Sequence, residues 1–423
     1  MSGASTTLSS RTIAWIGVAG VLILALGGRT GVAALSPIAS ELDLDLPVDG
    51  LWLAIIGAIP PITYAVAGVF SPWVARTLSL EGAAIVVSVV TALAHLGRGI
   101  TPNYFGLFAS TVVLMVGIGL LNVILPGLVK LYAPDRIGLI TSLYSTMMAI
   151  STALPSAVGL ALAREYGWRF SIASWALISI VAVLPYLILL PLALRRRASE
   201  SAVYASLPRS ARSARVGRSA TARSIMLIFS VSGFTAYTTF GVFPQILRDH
   251  AGSSAEEAAI ALTVFAILGM PMSLIVPNLA VRPGWSKRLV LLSAFSGVVG
   301  FLGLIFAPSF SVLLWSVLTG LNTLTFSMSL ALIGARTATH QMATELAGFV
   351  NTVGYIVAGL GPIVGGALHE ATGSWMASLI VLTVFSAAVL PAYWVLGKER
   401  TIEFELEEKG VPTGPITLQP ERR

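Results

Sequence analysis

The sequence of 423 residues contains no cysteine and few charged residues. Because cysteine is absent, disulfide bonds, thiolate metal sites and a cysteine nucleophile are all excluded. Asp, Glu, Lys and Arg make up 11% of the chain, whereas hydrophobic residues make up 56%. A typical soluble domain carries about 25% charged residues, because its surface faces water. The composition therefore excludes an ordinary soluble enzyme and a disordered chain, and indicates a protein of the lipid bilayer.

The sequence is rich in long apolar runs. A helix that crosses a bilayer needs roughly 20 mostly apolar residues, and twelve runs meet this requirement. We number them spans 1 to 12; they cover residues 13–38, 50–74, 82–100, 104–130, 137–163, 168–194, 224–248, 255–280, 289–306, 309–335, 345–368 and 374–397. The tail before span 1 carries only Arg11 and no cleavable signal boundary, so we expect span 1 to be retained.

The basic residues are distributed unevenly among the loops. With a cytoplasmic N-terminus, 21 of the 26 Lys and Arg residues lie in cytoplasmic segments, and four lie in outer loops (Arg98, Arg164, Arg169 and Arg248). Lys and Arg concentrate in short cytoplasmic loops, so both termini are expected in the cytoplasm. The excess of 22 Arg over 4 Lys is typical of a GC-rich bacterial genome. We therefore expect a multi-pass protein of a bacterial cytoplasmic membrane.

A basic segment divides the chain into two sets of six spans. Residues 195–223 contain eight Arg and a single acid, Glu200. Such a run could bind nucleic acid, but attraction to anionic lipid headgroups is the simpler interpretation, so no nucleic-acid partner is expected. The predicted units are a six-helix bundle in 1–194, a basic cytoplasmic linker in 195–223, a second six-helix bundle in 224–398 and a cytoplasmic tail in 399–423.

The two halves of the chain repeat one another weakly. Six residue pairs recur 200 to 207 positions apart, namely Asn122 and Asn322, Arg136 and Arg336, Pro72 and Pro277, Pro37 and Pro244, Pro155 and Pro362, and Gly159 and Gly366. Internal repeats of this kind are typical of secondary transporters, in which one half rocks against the other around a site near the bilayer midplane. The pattern therefore predicts a transporter.

Several local runs add to this pattern. They are Arg29 with residues 36–37 (SP), and residues 122–130 (NVILPGLVK), 134–141 (PDRIGLIT), 168–169 (WR), 244–249 (PQILRD), 354–355 with 361–362 (GY and GP), and 372–375 (TGSW). With twelve spans, these runs resemble the major facilitator superfamily over about residues 12–398, and more specifically its cyanate/nitroimidazole transporter branch. The resemblance implies an all-α membrane protein of twelve transmembrane helices in two pseudo-symmetric six-helix bundles. It also implies cyanate or a similar compound as the first solute to consider.

Two departures from the superfamily's usual motifs are visible. Gly68 and Arg76 fit the loop Gly-x-x-x-Asp-Arg-x-Gly-Arg after span 2, but Pro72 stands at the Asp position. Drug–proton antiporters usually carry Gly-Pro-x-x-Gly-Gly in span 5, whereas this chain has that element in span 11, at residues 361–366. The second departure weighs against drug efflux.

Arg29 is the charged residue that lies deep inside a predicted span. Burying an arginine in a bilayer costs at least ~2.5 kcal/mol on insertion scales, so a partner is expected. No Asp or Glu lies in the middle of any span. A small planar anion could supply the missing charge and accept two parallel hydrogen bonds from the guanidinium. The alternative is that Arg29 caps backbone carbonyls where Gly27, Gly28 and Gly31 break the helix, or is hydrated.

Other polar residues lie at similar depth in the spans. We predict substrate contacts for Tyr64, Tyr237, Asn322, Asn351 and Tyr355 beside Arg29; the secondary candidates are His95, Asn122 and Tyr144. The alternatives are interfacial aromatics for the tyrosines, helix–helix hydrogen bonds for the asparagines, and packing rather than proton relay for His95. No histidine pair has metal-ligand spacing and no phosphate loop is present, so neither a metal nor a cofactor is expected.

The sequence thus predicts a secondary or facilitative transporter that moves a small, anionic, cyanate-like solute by alternating access. No mid-span carboxylate is available to carry a proton, so uniport or proton movement with the solute fits best. Efflux of nitroimidazole-like drugs is the alternative, and a transporter-like sensor is a remote one. An enzyme is not expected, because no nucleophile–base cluster is present. The expected partners are the solute and the bilayer, and the protein is expected to be a monomer.

Overall fold

In a computed structural model, residues 9–35, 38–46, 50–204 and 216–411 are described, and within these ranges the ordered elements are all helices. Spans 1 to 12 comprise, in order, Ser10–Gly27 with Thr30–Ala33, Gly50–Thr77, Leu80–Ile100, Tyr104–Tyr132, Ile137–Tyr166, Trp168–Ser174 with Ala176–Tyr204, Ala220–Asp249, Ala255–Ile267 with Gly269–Ala280, Trp285–Phe306, Val312–Asn322 with Leu324–Ala335, His340–Thr372, and Met376–Ala387 with Leu390–Leu396. A short helix, Ala39–Asp45, follows span 1. Another, Ile402–Glu408, follows span 12 and is called the tail helix below.

The described helices match the predicted spans. Eleven helices are long and apolar enough to cross a membrane, and they correspond to spans 1 and 3 to 12. Span 2 is the helix Gly50–Thr77, of which residues 59–70 form the described apolar part. The prediction of an all-α protein with twelve spans is confirmed. Pro37 and residues 205–215 of the basic segment, which also carried predictions, lie outside the described residues.

Large apolar side chains lie exposed on the outer surface of the bundle. Leu93 is 63% exposed, Phe295 64% and Ile363 65%, and each lies in the middle part of a span. In a water-soluble protein such surfaces drive association, but in a bilayer they face lipid tails. The bundle surface is therefore that of a membrane protein.

The two halves make the same contact at equivalent positions. The indole Nε1 of Trp168 donates to Asp45 Oδ2 at 2.9 Å in the first half, and Nε1 of Trp375 donates to Asp249 Oδ2 at 3.0 Å in the second. The two tryptophans are 207 positions apart, which is also the offset of several sequence pairs. The hydrogen bonds from Trp168 and Arg169 hold the pKa of Asp45 below its usual range. The repeat in the sequence therefore corresponds to a repeated structural contact.

The halves approach closely near the end of the bundle that carries residues 195–204 and the tail helix, here called the linker end. At Gly68 of span 2, an added Cβ would lie 2.7 Å from the backbone nitrogen of Thr352 in span 11. At Gly127 it would lie 3.1 Å from the carbonyl oxygen of His340, and at Gly138 it would lie 3.0 Å from a carbonyl oxygen of span 8. A Cβ at Gly68 would overlap backbone atoms of span 11, and one at Gly127 or Gly138 would crowd backbone atoms, because backbone meets backbone at these points. The halves are therefore closed against each other at the linker end.

The tail helix is fastened to the starts of two spans of the second half. Glu405 accepts hydrogen bonds from Ser219 Oγ at 2.6 Å and from Thr221 Oγ1 at 2.5 Å, just before and within span 7. Glu403 Oε1 accepts from the backbone nitrogens of Ala338 at 2.8 Å and Thr339 at 3.1 Å, just before span 11. Acceptors at a helix N-terminus satisfy its free N–H groups. The tail helix thus joins spans 7 and 11 at the linker end.

We expect Glu405→Gln to loosen the tail helix, since a neutral amide accepts weaker hydrogen bonds than a carboxylate. Burial raises the pKa of Glu405, but the donors at Ser219 and Thr221 outweigh burial and hold this pKa below its usual range. The carboxylate therefore stabilises the contact at neutral pH, and the stabilisation is lost as the pH falls through the lowered pKa. Amide exchange over residues 402–408 should be faster in the variant, by about tenfold. Glu408→Gln is the control. Glu408 pairs with Arg400 on an exposed surface, so this variant should change amide exchange little. Equal exchange in the two variants would contradict the role of Glu405.

Candidate functional site

The site begins at an interruption of span 1. The first helix of this span ends at Gly27 and the second begins at Thr30, so that Gly28 and Arg29 form the break. The backbone N–H of Arg29 donates to Ser151 Oγ of span 5 at 2.9 Å, and Thr30 Oγ1 donates to the carbonyl of Gly27 at 3.2 Å. Broken spans are tolerated in a bilayer where side chains satisfy the freed backbone groups. The break therefore fixes the place from which the Arg29 side chain projects.

The Arg29 guanidinium lies among three tyrosine hydroxyls. It interacts electrostatically with the hydroxyl groups of Tyr64, Tyr237 and Tyr355, which come from spans 2, 7 and 11. Tyr64 and Tyr355 are buried, whereas Arg29 and Tyr237 are half-buried. We call these four residues the arginine cluster. Two of its members come from each half of the protein, so the cluster crosses the interface at which the halves must move.

Aromatic contacts hold the cluster from the side of the second half. The rings of Tyr64 and Tyr355 meet edge-on with centroids 5.0 Å apart, and Phe229 meets Tyr355 edge-on at 5.2 Å. Phe229 also contacts Phe326 at 5.2 Å. Edge-to-face pairs of this kind are favourable and restrict ring orientation. Tyr355 is thereby fixed at the centre of the site.

A cavity lies on the other side of Tyr355. Each half contributes four lining residues: Asn122, Leu125, Tyr144 and Met148 from spans 4 and 5, and Phe326, Leu330, Asn351 and Tyr355 from spans 10 and 11. The cavity is small in this structure: its enclosed space measures about 10 Å³, room for about one water molecule. Tyr144 and Asn351 are 207 positions apart, so the two halves present equivalent positions to it. The cavity therefore lies on the axis of the repeat, where transporters of this construction bind their solutes.

Two polar groups of the cavity lack a protein partner. The side-chain nitrogen of Asn122 and the hydroxyl of Tyr144 are buried and form no hydrogen bond with the described residues. A buried polar group without a partner costs about 1–3 kcal/mol, so such groups in a native protein call for a ligand or water. The cavity can thus donate hydrogen bonds to a polar solute that also contacts the arginine cluster through Tyr355.

Two predicted residues lie elsewhere. The amide nitrogen of Asn322 donates to the carbonyl of Ser293 at 2.9 Å in span 9, so this side chain binds one helix to another instead of lining the cavity. His95 is buried in span 3, with Nδ1 3.3 Å from the carbonyl oxygen of Ile172, also away from the cluster. The arrangement thus brings together Arg29, Tyr64, Tyr237 and Tyr355, and, around the cavity, Asn122, Tyr144 and Asn351.

The charge count placed one residue wrongly. Arg98 was counted with the outer loops, although predicted span 3 (82–100) includes it. The structure has Arg98 within span 3 and fully buried, and its Nη1 donates to the carbonyl oxygen of Gly31 at 3.1 Å. The loop assignment was wrong because counting basic residues cannot distinguish a loop from the last turn of a helix. Arg29 is therefore not alone as a buried cation. Ser151, which holds the break, carried no sequence signal beyond its place in span 5.

Comparisons with known proteins agree with this architecture. The chain is 28% identical over 399 residues to the uncharacterized transporter YycB of Bacillus subtilis, covering 93% of this chain and 96% of that protein. It is 26% identical over 404 residues to the 2-nitroimidazole transporter of Escherichia coli, covering 94% and 99%. It is 22% identical over 399 residues to the cyanate transport protein CynX of the same organism, covering 89% and 98%.

The fold is also similar to that of a solved transporter. The structure of the proton:xylose symporter XylE aligns with a TM-score of 0.71 over 95% of this chain and 100% of that chain, at 14% sequence identity. In addition, the sequence profile of the Major Facilitator Superfamily matches residues 17–344 and 225–421. The chain belongs to the Major Facilitator Superfamily and is a membrane transporter.

Proposed function

We propose that this transporter moves a small anion of the cyanate type by alternating access, with Arg29 as the residue that binds the anion. The observation that carries the proposal is the environment of the guanidinium. It lies at a helix break inside span 1, half-buried, and its described polar neighbours are the neutral hydroxyls of Tyr64, Tyr237 and Tyr355. Hydroxyls accept hydrogen bonds but leave the positive charge uncompensated. A bound anion would compensate it.

The three tyrosines support this role through their chemistry. A tyrosine hydroxyl can accept from the guanidinium and donate to a second acceptor at the same time. An anion beside Arg29 would therefore receive hydrogen bonds from both the arginine and the hydroxyls around it. Charge-assisted hydrogen bonds are roughly twice as strong as neutral ones, so a small anion can be held without a large contact area.

The cavity extends the site toward spans 4 and 5. The unpartnered groups of Asn122 and Tyr144, together with Asn351, are suited to the polar end of a solute. Tyr355 belongs to both the cluster and the cavity, so a solute could contact the two at once. We infer that Tyr64, Tyr237, Tyr355 and Asn351 contact the solute, with Asn122 and Tyr144 as additional contacts.

Alternating access follows from the closed contacts between the halves. The glycine contacts at Gly68, Gly127 and Gly138 close the linker end, and the arginine cluster crosses the interface at the centre. Opening toward the linker end would separate these contacts and draw Tyr237 and Tyr355 away from Arg29. From the distribution of Lys and Arg we infer that the linker end is cytoplasmic in a bacterial membrane. We also propose that the units 1–194 and 224–398 move as the two bodies, and that a monomer suffices.

The experiment that tests the proposal is uptake into proteoliposomes. Purified protein should accumulate radiolabelled cyanate down an imposed gradient, and the uptake should be inhibited by other small planar anions but not by neutral amides of similar size. Empty liposomes are the control. Uptake no faster than that into empty liposomes would contradict the proposal.

A second function is favoured by the aromatic lining of the cavity. Phe326, Tyr144 and Tyr355 could stack on a flat heterocycle, and one relative is a 2-nitroimidazole transporter. The same vesicles distinguish the two functions. Movement of 2-nitroimidazole without movement of cyanate would favour the heterocycle, whereas cyanate uptake that 2-nitroimidazole does not inhibit would favour the anion.

A further inference from the structure

We propose that Arg98 is a positioning residue that acts through the break in span 1 to hold Arg29 in place. The inference rests on the proposed function of Arg29 but concerns a residue from a different helix. Arg98 lies in the last turn of span 3, and its side chain is fully buried. A guanidinium in such a place is costly, so its retention requires a structural or functional reason.

The contact of Arg98 is with the segment that follows Arg29. Nη1 of Arg98 donates to the carbonyl oxygen of Gly31 at 3.1 Å. Gly31 lies in the second helix of span 1, which has only four residues, Thr30–Ala33, so its carbonyl oxygens lack the partners of a longer helix. Arg98 supplies one of these partners from outside the span.

A second side chain holds the other side of the break. Ser151 Oγ accepts the backbone N–H of Arg29 at 2.9 Å. The segment from Arg29 to Gly31 is thus held by span 5 at its start and by span 3 at its end. A four-residue helix cannot maintain its own position, because a single turn is unstable without tertiary contacts. The direction of the Arg29 side chain therefore depends on these two contacts.

The charge of Arg98 is not otherwise engaged. Its Nε and Nη2 atoms form no hydrogen bond with the residues that the structure describes, and its neighbour His95 bonds instead to the carbonyl of Ile172. Arg98 is therefore directed toward the break in span 1.

The test compares Arg98→Met with Ser151→Ala in amide exchange and in transport. Both variants should accelerate exchange over residues 28–35 by about tenfold, because each removes one hydrogen bond that holds the break. Both should also raise the KM for cyanate by about tenfold while kcat changes little, because a displaced Arg29 binds the anion less well. Arg98→Lys keeps the charge and one donor, so its values should lie between those of the wild type and Arg98→Met.

Thr319→Val is the control. Thr319 is buried in span 10 of the second half, where its Oγ1 donates to the carbonyl of Trp315 at 2.8 Å, away from the break. The control should leave exchange over residues 28–35 and the KM unchanged even if it lowers the melting temperature. If Arg98→Met does not fold, Arg98→Lys carries the same test.

Amide exchange and the KM for cyanate together distinguish failure of the positioning role of Arg98 from failure of the proposed function of Arg29. If amide exchange over residues 28–35 is unchanged in Arg98→Met and Ser151→Ala, the positioning role is overturned. It is also overturned if exchange is faster but the KM for cyanate is unchanged in variants that still transport cyanate. If the variants exchange faster over residues 28–35 but the wild-type protein transports no anion, the role of Arg98 in holding the break is supported. The same result would contradict the proposed function of Arg29.

Discussion

We expect Arg29→Ala to abolish cyanate uptake in proteoliposomes while the protein remains folded. Removing one partner of a hydrogen-bonded charge pair costs about 2–5 kcal/mol, which corresponds to a loss of affinity of about thirtyfold or more. The fold should tolerate the change, because the half-buried guanidinium interacts with tyrosine hydroxyls and carries an uncompensated charge. Initial rates of uptake, measured beside the melting temperature of each variant, check both expectations.

Two further variants make this prediction specific. Arg29→Lys keeps the charge but replaces the planar guanidinium and its five donors with a compact ammonium group, so it should retain weak uptake with a raised KM. Tyr237→Phe removes one hydroxyl from the cluster and leaves the ring, so it should lower affinity by less than Arg29→Ala does. Full transport by Arg29→Ala would contradict the anion-binding role of Arg29.

We expect Gly68→Ala to shift the transporter toward the state that is open at the linker end. The added methyl would lie 2.4 Å from Thr352 Oγ1, 2.7 Å from its backbone nitrogen and 2.8 Å from the carbonyl oxygen of Gly348. The side chain of Thr352 can rotate, but two backbone atoms cannot, so spans 2 and 11 must separate. Overpacking of this kind costs about 1–3 kcal/mol, enough to change the ratio of two states by about fivefold or more.

The absence of cysteine makes this shift directly measurable. In Asn351→Cys the single thiol would lie in the cavity, where it is buried while the halves are closed. A membrane-impermeant maleimide supplied from the linker side should label it about tenfold faster in the Gly68→Ala background. Gly366→Ala is the control in the same span 11, because its added methyl would meet nothing within 4 Å. Equal labelling in both backgrounds would show that contact at Gly68 does not close the linker end.

Much of the fold could be predicted from the sequence because the thickness of the bilayer fixes the length of a helix. Span 3 was predicted at 82–100 and observed at Leu80–Ile100, with similar agreement for span 4. The end of span 6 was predicted less well. Its helix continues to Tyr204, and the polar residues beyond residue 194 gave no apolar signal, although Arg196 there pairs with Glu81 at 2.7 Å.

Depth along a helix was predictable, but the direction in which a side chain points was not. Asn122 and Asn322 lie at equivalent places in spans 4 and 10, yet Asn122 lines the cavity and Asn322 bonds to span 9. Span 10 is interrupted between Asn322 and Leu324, and such an interruption changes which face each part of the span presents. The sequence repeat therefore identified equivalent positions without distinguishing a cavity from a helix contact.

For Arg98 too, the position along the helix could be predicted, whereas the surroundings of the side chain could not. It stands two residues before the end of span 3, where a basic residue usually reaches the headgroups. Instead, Nη1 of Arg98 donates to the carbonyl oxygen of Gly31 inside the bundle. This contact joins residues far apart in the chain, so it could not be read from the sequence.

The most direct test of the account is the melting temperature of wild type and Arg29→Ala with cyanate or with a neutral amide of similar size. A ligand that binds the folded state stabilises it by about 2.7 kcal/mol at a concentration 100 times its Kd. The account predicts that cyanate raises the melting temperature of the wild type, that the amide does not, and that Arg29→Ala responds to neither. A wild type that responds equally to cyanate and the amide, or an Arg29→Ala variant that responds to cyanate as the wild type does, would contradict an anion bound at Arg29.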